Sequence, residues 1–84
     1  MQIKFDESAW EDYLHWQATD RAILKRINQF IVATSREPFA GIGKPEQLKH
    51  QLSGFWSRRI DDRHRLVYAA DGDTLLIAQC RDHY

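Results

Sequence analysis

The 84-residue chain holds one cysteine, one methionine, two prolines and four glycines. Cys80 alone makes an internal disulfide impossible, so an oxidising compartment is not required. Pro and Gly are too sparse for a repetitive or linker-like chain, and neither repeats nor low-complexity tracts occur. No apolar run approaches the ~20 residues that span a bilayer. The opening Met1-Gln2-Ile3-Lys4-Phe5-Asp6 does not read as a signal peptide. The expected location is therefore the cytoplasm, with no membrane partner. Net charge is also missing: 12 basic residues balance 12 acidic ones. That balance argues against indiscriminate binding to nucleic acid.

The neutral sum conceals a pattern. Residues 1–20 carry Lys4 against five acids, whereas residues 21–40 and 41–60 each carry four bases against one acid, and residues 61–84 three Arg against five Asp. Positive charge gathers in the middle of the chain, where a local patch can meet an anionic partner. Hydrophobic residues at 43% and aromatics at 12% suffice for a small core. At this length the expectation is one domain over residues 1–84.

Ile3 and Phe5 alternate and suit a first strand. Trp10, Tyr13, Leu14 and Gln17 then recur at helical spacing. Asp6 or Ser8 is the candidate N-cap, and Ser8 with Glu11 matches a capping box. Thr19-Asp20 interrupts and caps a second helix, with a stripe of Ile23, Ile27, Phe30, Ile31 and Thr34 and with Arg21, Lys25 and Asn28 on its other face. Residues 36–45 concentrate Pro38, Gly41, Gly43 and Pro45 and read as an ordered loop. Strand-like segments follow at about 47–52, 55–60, 64–70 and 74–81, and Asp71-Gly72 marks a hairpin between the last two. Strand, helix, helix and a meander of strands predict an α+β fold. Its antiparallel sheet carries both helices on one face and leaves the other open to a partner.

Motifs for a bound group are weak. Gly41-Ile42-Gly43-Lys44 lacks the spacing and the following Ser or Thr of a phosphate-binding loop. Asp71-Gly72-Asp73 is too short for a calcium loop. Cys80 and His83 form one C-x-x-H pair without a second at zinc-like spacing, and a buried Cys beside an exposed terminal His accounts for it better. No metal site and no cofactor is expected.

The second half is denser in chemistry: Glu46, Lys49, His50, Arg58, Arg59, Arg63, His64, Arg65, Arg81, His83 and Tyr84, with Phe55 and Trp56 among them. Arginines beside aromatics on a sheet suit single-stranded nucleic acid, through phosphate contacts and base stacking. A solvated, salt-bridged face with Trp56 in the core accounts for the same residues equally well. Cleavage of RNA without a metal needs a base for the 2′-hydroxyl, cations for the phosphorane charge and an acid for the leaving 5′-oxygen. Glu46, Arg65 with Lys49, and His83 have the matching chemistry. Spacing alone does not bring them together.

The run Gly43-Lys44-Pro45-Glu46-x-Leu48-Lys49-His50-x-Leu52-Ser53-Gly54-Phe55-Trp56-Ser57-Arg58-Arg59-Ile60 closely resembles the YoeB (Txe/YoeB) family of toxins. So do His64-Arg65-Leu66-Val67-Tyr68, the ending Cys80-Arg81-x-His83-Tyr84, and Trp10, Tyr13, Leu14 and Trp16 in the first helix. The resemblance spans all 84 residues without a gap. It implies a RelE/ParE-superfamily fold in the order β-α-α-β-β-β, and a type II toxin that acts as a ribosome-dependent endoribonuclease on mRNA in the decoding (A) site, inhibiting translation. By resemblance Glu46 is the general base, Arg65 stabilises the transition state, His83 is the general acid and Tyr84 positions the RNA. Lys49 and Arg59 assist at the phosphate. The implied partners are the 70S ribosome with mRNA, a YefM/Phd-type antitoxin and, for the toxin–antitoxin complex, operator DNA. A homodimer stays open, since Trp10 and Trp16 serve either an interface or the core. The alternative reading is a non-enzymatic ParE-like toxin that inhibits DNA gyrase, but that branch is not expected to need a terminal His-Tyr or a Glu46-Lys49 pair. A non-toxic regulatory partner is the third reading, against which the complete residue set stands.

Overall fold

The computed structural model describes residues 1–83. Strand β1 (Gln2–Phe5) leads into helices α1 (Glu7–Thr19) and α2 (Arg21–Arg36), and then come β2 (Glu46–Gln47), a 3-10 turn (His50–Leu52), β3 (Trp56–Arg59), β4 (Arg65–Asp71) and β5 (Thr74–Gln79). The strands form one sheet in the order β1-β5-β4-β3-β2. The fold is α+β as expected, with four strands after the helices as the segments predict, one more than the β-α-α-β-β-β order that the resemblance implies. Strands β2 to β5 pair antiparallel, whereas β1 adds to β5 in parallel and makes the sheet mixed. No hairpin joins β1 to β5, so nothing in the chain forces them to run in opposite directions.

Local signals set most element ends. The Asp20 carboxylate accepts from the Ala22 and Ile23 N–H groups and caps α2, as predicted. Ile27, Phe30, Ile31 and Thr34 of its stripe are buried and Ile23 packs partly buried against them. In α1 the N-cap is Asp6, whose side chain makes no cap bond, and Ser8 lies inside the helix, so the capping box does not form. The buried face of α1 is also rotated from the predicted one. Ala9 and Trp16 are buried and Tyr13 partly so, whereas Trp10, Leu14 and Gln17 face outward. Residues 50–52, expected in a strand, instead turn, with His50 at φ +59. The hairpin corner is Gly72-Asp73, where Gly72 at φ +58 adopts the backbone that a two-residue loop needs.

Alternation divides the sheet. Trp56, Arg58, Leu66, Tyr68, Leu75 and Ile77 point to the helices, and all but Arg58 belong to or pack against the main core. Ser57, Arg59, Arg65 and Val67 therefore lie on the opposite face, with Glu46 placed there by its pairing to Ser57. Leu48 and Val67 are buried yet stand apart from the main core cluster, which gives this second face an apolar floor of its own.

Arg58, fully buried, fastens the 37–43 loop over the helix side. Its Nη1 donates to the Ile42 carbonyl at 2.7 Å, and its Nη2 to those of Glu37 and Ala40 at 2.6 and 2.8 Å. The guanidinium stands 5.6 Å from the Tyr68 ring centre, and the Tyr68 hydroxyl donates to the Pro38 carbonyl. Burial raises the Tyr68 pKa above its ordinary value, against the opposing effect of Arg58. At Gly43, φ is +81 and an added Cβ would meet the Phe30 ring at 2.8 Å, so only glycine fits between loop and helix. The Gly43 carbonyl accepts from the Arg59 N–H at 2.6 Å and ties the loop to β3. Arg58→Met removes three charge-assisted hydrogen bonds at once. It should lower stability by about 3 kcal/mol or more, read as a fall in the urea midpoint.

Candidate active site

Glu46, Arg59 and Arg65 come from three successive strands and share the face turned away from the helices. Glu46 on β2 stands opposite Ser57, two residues from Arg59 on β3, and Arg59 stands opposite Arg65 on β4. Directly opposed residues have Cβ atoms only ~5 Å apart, and like charges in that position repel. Among the described residues, the ion pairs of permanently charged groups join Met1 to Asp73 and Arg63 to Asp82; none involves Glu46, Lys49, Arg59 or Arg65. Two arginines in register on neighbouring strands offer the paired charge that suits a multiply charged anion. Glu46 and Lys49 line one hollow of about 320 Å³ together with Leu48, His50 and Leu52.

Arg65 is 8% exposed and its orientation is determined by the loop before it. Its Nη1 donates to the carbonyls of Asp61 at 2.6 Å and His64 at 3.1 Å. That loop is itself folded around the Asp61 carboxylate, which accepts from the Arg63 N–H at 2.9 Å and the His64 N–H at 2.6 Å. Burial acts to raise the Asp61 pKa, but these backbone donors, with His64 and Arg65 nearby, outweigh it and hold the carboxyl below its ordinary range.

The C-terminal tail returns to the same place. The Arg65 N–H donates to the Asp82 carbonyl at 3.1 Å, and the Asp82 N–H donates to His64 Nδ1 at 2.7 Å. His83 follows directly and is exposed, so it is tethered beside Arg65 through its neighbour's backbone. Upstream, Cys80 is gripped by α1: the Trp16 indole N–H donates to its carbonyl at 2.8 Å, and its own N–H donates to Asp12 at 3.2 Å. Burial raises the Asp12 pKa against the opposing pull of the Cys80 N–H and Arg81. Burial, with Asp12 adding to it, pushes the Cys80 thiol up to about 12.

Of the residues singled out from sequence, Glu46, Arg59 and Arg65 thus share one face, Lys49 shares a hollow with Glu46, and His83 is tied to Arg65. Tyr84 lies outside the described residues. Arg58 belongs to the core side instead, and Trp56 packs there against Phe39 at a ring-centre distance of 4.8 Å rather than among the exposed cations. Trp16, Asp12 and Asp61 were not singled out for the site; they act on backbone groups, which leave no spacing pattern to read. Among the described residues no group of three His, Cys, Asp or Glu side chains could hold a metal ion, and no helix is long and apolar enough to cross a membrane.

A family model for the YoeB-like toxin of bacterial type II toxin–antitoxin systems matches residues 5–84. The toxin YoeB of Escherichia coli (strain K12) is 61% identical over 84 residues, covering 100% of both chains. The structure of a YoeB/ParE toxin from Agrobacterium tumefaciens superposes with a TM-score of 0.98 at 46% identity, covering 100% of both chains. YoeB of Staphylococcus aureus, solved as a heterotetrameric complex with YefM and as a dimer, gives a TM-score of 0.93 at 44% identity, covering 100% of this chain and 98% of that one.

The electrostatics yield two checks. Asp61 has its folded pKa lowered, so its contribution to stability is present above the unfolded value of 3.8 and lost as pH falls through the lower folded value. Asp61→Ala should therefore cost about 1 kcal/mol at neutral pH, and the difference from the parent should shrink below pH 3.8 in acid denaturation curves. Cys80, buried and with its thiolate strongly disfavoured, should react with a neutral-pH disulfide reagent only after the chain is unfolded in denaturant.

Proposed function

The chain belongs to the YoeB-like toxins of bacterial type II toxin–antitoxin systems, and from that premise we propose that it is a ribosome-dependent endoribonuclease that cuts mRNA in the decoding site and halts translation. The observation that supports this most is the joint placement of Glu46, Arg59 and Arg65 on the sheet face turned from the helices, with the tail that carries His83 hydrogen-bonded to the Arg65 backbone.

The chemistry follows from those groups. RNA supplies the nucleophile. Glu46 accepts the proton of the 2′-hydroxyl, and the 2′-oxygen bonds to the adjacent phosphorus. Charge then builds on the non-bridging oxygens, where Arg65 meets it with a side chain already oriented by two carbonyls. Lys49 and Arg59 hold the phosphate. The bond from phosphorus to the 5′-oxygen breaks and His83, entering protonated, gives its proton to that oxygen. The products are a 2′,3′-cyclic phosphate and a 5′-hydroxyl. Tyr84 is assigned to positioning the RNA. No step calls for a cofactor. The ribosome presents the mRNA, which agrees with a chain whose zero net charge gives no bulk attraction to RNA.

Control of the activity is assigned to a YefM/Phd-type antitoxin, since the S. aureus relative is solved in complex with YefM. The tail is its natural target: Asp82 and His83 are exposed and Asp82 is held by two backbone hydrogen bonds, so a competing segment displaces them without unfolding the sheet. The toxin–antitoxin complex is assigned to operator DNA. The dimer of the same relative supports a homodimer here, for which Trp10, 47% exposed and stacked on Tyr13, offers apolar area.

A purified translation system with and without ribosomes tests the reading. Cuts should require ribosomes and fall within the decoding-site codon. Arg65→Ala should slow cleavage by about 10²–10³-fold, and Glu46→Ala and His83→Ala each by about 10²–10⁴-fold, with melting curves close to the parent for the two exposed residues. Full activity in Arg65→Ala removes that residue's role. Intact mRNA from a folded, growth-arresting protein overturns the nuclease reading and turns the test to DNA gyrase.

A further inference from the structure

The proposed acid, His83, is exposed and directly follows Asp82, so what holds Asp82 bears on where His83 stands. Both backbone polar groups of Asp82 are engaged. Its carbonyl accepts from the Arg65 N–H, and its N–H donates to His64 Nδ1 at 2.7 Å, the only side-chain acceptor given to the Asp82 backbone among the described residues. Asp82 sits at φ +64, a backbone that a non-glycine residue holds only when its surroundings impose it.

His64 is built to impose it. Its side chain is 11% exposed, its ring stands edge-on to Trp16 at 4.7 Å and 74°, and its backbone N–H donates to the Asp61 carboxylate. Trp16 in turn donates to the Cys80 carbonyl, two residues before Asp82. One ring thus links the core-facing side of α1, the start of β4 and the tail. Because Nδ1 accepts, the proton of the neutral imidazole resides on Nε2.

We propose that His64 is a positioning residue for His83: its Nδ1, by accepting the Asp82 N–H, holds the tail turn that sets where the next side chain stands against Arg65. It touches no substrate and acts only through the backbone. For its activity readout the inference rests on the nuclease reading above.

Two substitutions separate ring from acceptor. His64→Phe keeps the aromatic edge against Trp16 and removes the acceptor. His64→Asn places an acceptor, Oδ1, where Nδ1 was and removes the ring. On ribosome-bound mRNA, His64→Phe should cleave at least about tenfold more slowly at saturating toxin with an unchanged half-saturating concentration, and His64→Asn should recover to within about threefold of the parent. Thermal melting should rank them the other way, with Phe the more stable, an inversion that a merely structural residue cannot give. Amide NMR supplies the second readout. The Asp82 and His83 N–H resonances should move and lose order in His64→Phe and stay near their parental positions in His64→Asn. Parental cleavage by His64→Phe, or activity that follows melting temperature, overturns the proposal. So do Asp82 and His83 amides unmoved in His64→Phe. If the parent chain itself leaves ribosome-bound mRNA intact, the nuclease reading fails, and the amides alone decide whether His64 positions the tail.

Discussion

The hydrogen bond from the Arg65 N–H to the Asp82 carbonyl joins the end of the chain to the first residue of β4, and the arrangement of the candidate site rests on it. Without it the sheet would still present Glu46, Arg59 and Arg65, because strand register alone places those three. The tail that carries His83 would lose its tie to β4. Everything around that bond supports it from a different direction. The Asp61 carboxylate shapes the loop that delivers Arg65, and α1 holds Cys80 by both its backbone groups. A terminal segment that is mostly exposed is thereby ordered by directional bonds rather than by burial. Such bonds are individually worth only ~1 kcal/mol and are exchanged readily for another partner's.

Neighbouring arginines show how alternation divides labour. Arg58 turns toward the helices, where three loop carbonyls and the Tyr68 ring absorb its charge and make it part of the core. Arg59 turns the other way and meets Arg65 across the ladder. The first arrangement spends a charge on stability. The second leaves two like charges in register, and an anion lying between them would relieve the pair.

Much of the fold was legible because its signals are local. The Asp20 cap, the apolar stripe of α2 and the turn glycine at position 72 each act within a few residues. The buried face of α1 was misread because Trp10 and Trp16 weigh equally in a hydrophobic pattern, whereas the small Ala9, which marks the contact side, weighs little. Residues 50–52 have strand-like neighbours but follow a left-handed His50, and the direction of β1 is settled only by its distant partner β5. The residue types gathered at the candidate site were legible, and the roles proposed for them come from the resemblance. The supports of the site were not legible. His64, Trp16, Asp12 and Asp61 each act on a main-chain group contributed by another part of the chain, and a main-chain partner has no identity in sequence.

The central claim is that these side chains make RNA cut itself, with its own 2′-hydroxyl as the nucleophile. The most direct test is a ribosome-bound mRNA carrying a single 2′-deoxynucleotide on the 5′ side of the scissile phosphate. The account predicts that cleavage at that bond is abolished while the matched all-ribose message is cut to a cyclic phosphate and a 5′-hydroxyl. Unchanged cleavage of the deoxy-substituted message would mean that water attacks the phosphorus, and it would contradict the roles given to Glu46, Arg65 and His83 together.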